Sequence, residues 1–263
     1  MIYYKDNLAS MIWEEGFERF DFKDWILKED KSEDNLKKWI RFASGDYPDP
    51  DCVLKMDLTE DANILLQLRW GEADALRKKC YLDCIFSFRT FFRAFLWLYA
   101  PEYMPYLGQI YDWYDEVFSD SKKQEFCKKN KISLAELKSL FVQLDLFARN
   151  THTIGNYMPC PDEKYNFEKG NYTKYKDRLE LFYEDKENET RRKWLDQYKE
   201  LLELDSILGS RELLEFEFKG KKMSKEDIVP YTKYLEAVNS LIEKRGKTII
   251  RSLTKVKEKR SNQ

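Results

Sequence analysis

The chain has 263 residues, of which 43% are hydrophobic and 16% are aromatic, which is enough apolar material for a substantial core. Charged residues reach 36%, above the usual ~25%, but 48 acidic and 46 basic side chains nearly cancel to a net charge of −2. This balance excludes a general electrostatic attraction to nucleic acid or anionic lipid, so any such binding must be local.

The glycine and cysteine patterns narrow the functional classes further. The 9 glycines are spread out, so the chain contains neither a phosphate-binding glycine-rich loop nor a dinucleotide-binding fingerprint. The 5 cysteines lack the spacing of a disulfide framework or a zinc site, which predicts reduced thiols, no resident metal and no cofactor. No signal-like N-terminus or long uncharged apolar run is present, so we expect a cytoplasmic protein with no membrane contact.

The first predicted elements are short amphipathic helices in residues 1–44. The second of them is predicted at 32–43, where three large apolar residues recur at helical spacing. These are Leu36, Trp39 and Ile40. A loop is predicted at 44–51, because its two prolines disfavour helix in the residues before them.

Residues 78–99 form the most apolar segment of the chain. Large apolar residues fall on nearly every helical face, as is typical of a helix buried at the centre of a domain. The charged residues Asp83, Arg89 and Arg93 within it favour a core helix over a membrane helix, since charge at membrane depth is costly. We therefore predict a mainly α protein, a single irregular helical domain spanning 1–263 around this central helix, with at most short β segments.

Two further helices are predicted before an irregular polar insert at 149–170. An aromatic-rich helix covers 106–121. A capping box formed by Ser133 and Glu136 begins the next helix, which is predicted to end near Phe147.

Three helices are predicted after the insert, at 172–183, 188–208 and 224–245, the last of them ended by Gly246. A basic tail at 244–263 follows. Its cations can neutralise phosphates, although a solvated terminal helix accounts for the same run of charge. They are Lys244, Arg245, Lys247, Arg251, Lys255, Lys257, Lys259 and Arg260.

The insert itself holds the only histidine of the chain, His152, together with two glycines and two prolines. Gly155 and Asn156 predict a tight turn in which glycine relieves the restriction on positive φ angles. Two readings stay open. The insert is either a rigid loop whose polar groups bind a ligand, or a structural plug whose side chains satisfy helix ends.

The candidate ligand-binding residues come from the insert and from the central helix. Arg89 and Arg93 lie one turn apart on an apolar helix, so we expect buried guanidinium groups paired with protein carboxylates or with an anionic ligand such as phosphate. The full candidate set is Arg89, Arg93, Arg149, His152, Asn156, Asn166, Lys169 and Arg178.

Catalytic arrangements are sparse. His152 lacks the companions of a zinc site, and its separation from Cys160 across a proline-rich loop fixes no nucleophile–base geometry. Asp112, Asp115 and Glu116 have the spacing to chelate Mg²⁺ from one helix face, although an exposed acidic face accounts for the same pattern.

The stretch from Thr153 to Leu181 resembles an uncharacterised bacterial family that is itself a domain of unknown function. The resemblance covers about 30 residues and follows an ordered pattern. Its members are Ile154 and Gly155, then Pro159, Asn166, Lys169 and Gly170, and finally Asp177 and Arg178. It implies a bacterial origin and no established activity.

The same stretch is also similar to the HNH-type nuclease domain of modification-dependent restriction enzymes. The matching residues are Ile154, Gly155, Asn156, Asn166 and either Lys169 or Lys174. That nuclease uses an upstream Asp-His pair for metal binding and general base catalysis. Here His152 lies inside the motif with no Asp directly before it, so the resemblance implies a relative without the catalytic pair.

These observations predict a non-catalytic binding or interaction module in the bacterial cytoplasm, acting in phage defence or nucleic-acid handling. Its partner would be a protein or a nucleic acid, and the sequence leaves the oligomeric state open. The alternative is a Mg²⁺-dependent phosphodiester hydrolase that uses carboxylates. Carboxylates converging beside the insert would favour the hydrolase, whereas a closed insert would favour the binding module.

Overall fold

A computed structural model describes residues 21–27, 34–43, 81–160 and 223–261, together with isolated positions between 189 and 205. This part of the chain is mainly helical, as the sequence predicts. Its α-helices are α1 (Phe22–Leu27), α2 (Asn35–Ala43), α3 (Phe88–Tyr99), α4 (Tyr114–Val117), α5 (Asp120–Asn130), α6 (Leu134–Asn150) and α7 (Ile228–Ser261). Two 3-10 helices (Pro101–Gln109 and Lys225–Asp227) and two strands, β1 (Tyr81–Cys84) and β2 (Tyr157–Cys160), complete the described elements.

Several predicted elements fall outside these residues. They include the helix at 172–183, most of the helix at 188–208 and the loop at 44–51. Among the helices that the structure describes, none combines the length and the apolar character that a membrane span needs.

Helix α3 is the centre of the described core, as predicted, because aromatic side chains from three other helices surround it. Trp39 of α2 contacts Phe88 edge to face, with ring centroids 4.7 Å apart. On another side, Phe147 of α6 contacts Phe88 at 5.1 Å. On a third side, Phe91 stacks on Tyr234 of α7 at 4.8 Å. Such contacts add to the large apolar area that each ring buries.

The predicted extent of this helix was wrong, because residues 81–84 form strand β1 rather than the first turns of a helix at 78–99. The strand pairs antiparallel with β2, from Tyr81 opposite Cys160 to Cys84 opposite Tyr157. A continuous apolar run does not distinguish a buried strand from a buried helix. Residues 81–84 form a strand because β2, which is distant in the sequence, supplies the backbone hydrogen bonds.

Other predictions are confirmed locally. In α2, Leu36, Trp39 and Ile40 are all buried. The capping box at the start of α6 is present, since Ser133 and Glu136 each bond the other's backbone N–H. The predicted helix at 106–121 is instead broken into a 3-10 helix, α4 and the start of α5.

Helix α7 does not end at Gly246 as predicted, but continues to Ser261. Glycine is a good terminator only where the chain must turn, and a packed helix tolerates it at a cost of ~1 kcal/mol relative to alanine. Here Gly246 is buried and lies where the insert crosses α7.

Gly155 explains this close crossing. A Cβ atom on it would overlap the carbonyl oxygen of Ile242 and lie 3.1 Å from the backbone nitrogen of Gly246. Its φ angle lies outside the left-handed region, so the predicted reason for this glycine was wrong. Space for the α7 backbone, rather than a strained turn, requires glycine here.

We expect Gly155→Ala to destabilise the fold by about 1–3 kcal/mol or more, because backbone atoms of α7 cannot give way as a flexible side chain would. Urea denaturation measures the change in the free energy of unfolding. Ser139→Ala, at an exposed position of α6, is the control and should stay within about 0.5 kcal/mol of the parent. Equal stability of the two variants would contradict the close crossing.

Candidate functional site

Within the insert, the segment at 150–157 is buried throughout. Local hydrogen bonds shape it as a compact turn at the end of α6. The Thr151 hydroxyl donates to the Phe147 carbonyl at 2.7 Å, and the Thr153 hydroxyl donates to the Asn150 carbonyl at 2.9 Å. Each of these carbonyls also accepts a backbone N–H, from Thr151 and from Thr153, so both carbonyls at the helix end accept two hydrogen bonds.

Asn156 lies at the centre of the turn and is fully buried. Its Oδ1 accepts from the backbone N–H of Phe86 at 2.9 Å, and its Nδ2 donates to the Phe86 carbonyl at 3.0 Å. The same Nδ2 donates to the Thr151 carbonyl at 2.8 Å, and the Asn156 carbonyl accepts from Ile85 N–H at 2.7 Å. The amide therefore holds the link between β1 and α3 against the turn.

Arg245 of α7 binds the other side of the turn. Its side chain is buried, and Nη1 donates to the carbonyls of Gly155 and Tyr157, both at 2.7 Å, with a longer contact of 3.4 Å to Ile154. An arginine that donates to several carbonyls anchors a loop with strong, charge-assisted hydrogen bonds. The sequence placed Arg245 in a basic tail, and its burial corrects that assignment.

Lys23 caps the end of α6. Its buried ammonium donates to the Ala148 carbonyl at 2.7 Å and lies 3.0 Å from the Asp21 carboxylate. A cation at a helix C-terminus is favoured by the helix dipole. Burial raises the pKa of Asp21, although the charge of Lys23 acts in the opposite direction. A backbone bridge between Asp21 and Thr153 brings this pair to the turn.

His152 is also buried, with its ring centroid 6.2 Å from that of Tyr157. Burial lowers its pKa well below the usual value, and the nearby charge of Lys23 lowers it further. The imidazole is therefore neutral near pH 7. Because the imidazole is buried, a substrate in solvent cannot reach it. We therefore assign His152 a structural role in the insert rather than a catalytic one.

The candidate residues thus separate into three groups. His152 and Asn156 lie together in the buried turn, while Arg149 at the end of α6 is half-buried and its carbonyl is 3.5 Å from Lys23 Nζ. Asn166, Lys169 and Arg178 lie outside the described residues.

Arg89 and Arg93 form the third group, and the prediction that they are buried was wrong. Both are exposed on the side of α3 that faces away from the core. Most faces of α3 pack against aromatic neighbours, and one narrow face remains exposed to solvent. Because apolar residues occur at nearly every position of the helix, its sequence does not show which face that is. The structure therefore does not bring them together with the insert.

Sequence reasoning missed the two residues that hold the turn in place, Lys23 and Arg245. For Arg245 a signal was present, because it occupies the helical spacing of the buried positions Val238, Leu241, Ile242 and Ile249. A cation within an apolar stripe indicates a buried partner. For Lys23 the local pattern showed only the nearby Asp21, since the helix end that it caps lies more than a hundred positions away along the chain.

The carboxylates considered for Mg²⁺ do not lie beside the turn. Asp112, Asp115 and Glu116 are exposed. Asp115 lies 3.5 Å from Lys37 and Glu116 accepts from the Tyr103 hydroxyl at 2.8 Å. Across the ranges that the structure describes, no group of three His, Cys, Asp or Glu residues is placed to hold a metal ion.

No protein-family model matches the chain, and searches of curated proteins and of solved structures find no significant match. The two resemblances noted from the insert therefore remain predictions. The geometry alone assigns the described turn a structural role: it joins β1, α3, α6 and α7 through buried hydrogen bonds.

The neutral His152 predicts a pH dependence of stability. Its pKa is lowered in the folded protein, so below about pH 6.5 the unfolded chain binds a proton that the folded chain does not. The free energy of unfolding should therefore fall with decreasing pH, by up to about 1.4 kcal/mol per pH unit. Urea denaturation between pH 7.5 and 5.5 measures this slope.

His152→Gln is the matched variant, because it keeps a polar side chain and removes the titration. We expect it to have a shallower slope than the parent over the same range. The raised pKa of Asp21 changes stability in the opposite direction at lower pH, but it is present in both proteins and cancels in the comparison. Parallel curves would show that His152 is not buried as described.

Proposed function

We propose that the chain is a non-catalytic nucleic-acid-binding protein and that the exposed stripe of α3 is its contact surface. We define this basic stripe as Arg89, Arg93 and Trp97. The three residues are spaced four apart and therefore lie on one helix face. The observation that carries the proposal is the exposure of two arginines at the start of a helix that contains no acidic residue.

Helix electrostatics do not account for Arg89. The positive end of a helix dipole lies at its N-terminus, so Arg89 in the first turn of α3 is electrostatically unfavourable. Ser87 makes no side-chain hydrogen bond to cap that end, and no acidic residue lies in the first turn. A bound phosphate would be stabilised by the N-terminal N–H groups and by both guanidinium groups.

The spacing of the three residues in the basic stripe fits a single-stranded nucleic acid. Arg89 and Arg93 are separated by about 6 Å along the helix, and Trp97 lies about another 6 Å beyond. The indole is 38% exposed, so it presents ring surface beside the cations. Cations that contact phosphates next to an aromatic ring that stacks on a base are the usual means of binding single strands.

The turn at 150–157 supports the proposal indirectly. The hydrogen bonds of its polar groups go to other parts of the protein, so we place the recognition surface on an outer helix face. A bacterial cytoplasm, with a role in nucleic-acid handling or phage defence, is the setting that we propose on the strength of the sequence resemblance. Cys84 and Cys127, both buried, form no disulfide in the described part, as such a setting requires.

The direct test is binding of a fluorescently labelled single-stranded oligonucleotide of about 12 nucleotides, followed by anisotropy at several salt concentrations. We expect Arg89→Glu/Arg93→Glu to weaken binding at least tenfold and to reduce the slope of log affinity against log salt by about 2, one for each phosphate contact. Trp97→Leu should weaken binding while leaving that slope unchanged.

Lys128→Glu/Lys138→Glu is the matched control, because it changes the net charge equally at two other exposed positions. It should bind nearly as well as the parent. Equal loss in both double variants, or no binding by the parent, would contradict the proposal. Cleavage of the oligonucleotide in Mg²⁺ would instead support the hydrolase. Folding is not at risk, since an acidic residue at position 89 suits the helix N-terminus.

A further inference from the structure

A second exposed surface lies on the segment between α3 and α5. Tyr103 and Tyr106 of the 3-10 helix contact Trp113, with ring centroids 5.8 and 5.9 Å apart. Tyr106 is 52% exposed and the other two rings are half-buried. We call these three rings the aromatic surface. Exposed aromatic clusters of this kind mark sites where another molecule binds.

Acidic residues surround the aromatic surface. The sequence from 101 to 120 contains five acidic residues and neither lysine nor arginine. Asp112 and Glu116 are exposed and have no cationic partner among the residues that the structure describes. The hydrogen bond from the Tyr103 hydroxyl fixes Glu116 beside the rings. Aromatic faces next to carboxylates suit lysine or arginine side chains, through cation–π contact and charge attraction.

The same segment already binds cations within the protein. Lys37 of α2 lies 5.3 Å from the ring centroid of Tyr114, and Arg41 lies 4.9 Å from that of Tyr111. Tyr111 and Tyr114 are close neighbours of Trp113 in the sequence. The segment between α3 and α5 therefore binds basic side chains through its aromatic rings. We expect its exposed rings to form further cation–π contacts of the same kind.

A complementary basic surface lies on α7. Lys244, Lys247 and Arg251 are exposed and fall at helical spacing on one face. We call them the basic face of α7. Arg245 and Ile249 are buried, so they belong to the opposite side of the helix. Four more basic residues follow in the sequence, and Glu258 is the only acidic residue among them.

We propose that the basic face of α7 in one copy of the chain docks on the aromatic surface and its acidic neighbours in a second copy. Lys244, Lys247, Arg251 and Tyr106 are all exposed, so the contact does not form within one copy. Each copy carries both surfaces, which makes the interface head-to-tail.

Full-length variants that each lose one surface provide the test. Asp112→Asn/Glu116→Gln removes the acidic neighbours of the rings, and Lys247→Glu/Arg251→Glu reverses the basic face. All four side chains are exposed, and circular dichroism verifies that both variants fold. Sedimentation velocity at several concentrations, in low salt and in 1 M salt where charges are screened within about 3 Å, measures association.

We expect the parent to associate in low salt and to dissociate in high salt. Each variant alone should be at least tenfold weaker in self-association. An equimolar mixture of the two variants should form a heterodimer and stop there, because the mixture supplies one intact surface of each kind. Lys128→Glu/Lys138→Glu should associate as the parent does.

The proposal is overturned by a monomeric parent at every concentration in low salt. It is also overturned by a mixture that fails to form the heterodimer, or by either variant associating like the parent. If Lys247→Glu/Arg251→Glu lowers oligonucleotide binding but leaves association intact, the basic face binds nucleic acid and the docking proposal fails. None of these residues belongs to the basic stripe of α3, so the two proposals fail independently.

Discussion

The buried amide of Asn156 is the interaction on which the described structure depends. One side chain satisfies both backbone polar groups of Phe86 and the carbonyl of Thr151. Each such bond contributes about 1 kcal/mol net, but a buried partner left unsatisfied costs ~1–3 kcal/mol. Because Phe86 lies two residues before the start of α3, this amide holds the link between the strand pair and the central helix in place. Arg245 holds the same turn from α7, and Gly155 allows the two backbones to meet.

This construction gives the turn at 150–157 a structural role. The polar residues of the turn replace the water that its backbone groups would otherwise bind, and they join elements that are far apart along the chain. We therefore place the proposed function on the outer faces of the helices. The basic stripe of α3 and the aromatic surface beside it both have charge or exposed rings that the packing of the core does not require. The proposed functions rest on those surfaces.

Features governed by local sequence could be predicted. The capping box of α6 and the apolar face of α2 depend on residues a few positions apart, and both are confirmed. Features set by distant contacts could not be predicted. Strand β1 exists because residues 157–160 pair with it, and an apolar run without that knowledge suggests helix. Arg89 and Arg93 were expected inside, since the sequence does not show which face of a nearly apolar helix stays uncovered. In the candidate site, the unusual composition of the turn could be recognised from the sequence. Its structural role could not, because that role depends on contacts with Lys23 and Arg245, which are distant in the sequence.

We infer that the turn at 150–157 is a permanent part of the core rather than a loop that opens to bind a ligand. Native-state hydrogen exchange of the Ile85, Phe86 and Asn156 amides tests this claim most directly, because all three donate hydrogen bonds within or to the turn. We expect them to exchange only through global unfolding, with the same free energy as the core amides of α6. Exchange at a clearly lower free energy, while α6 stays protected, would show that the turn opens on its own and would contradict the account.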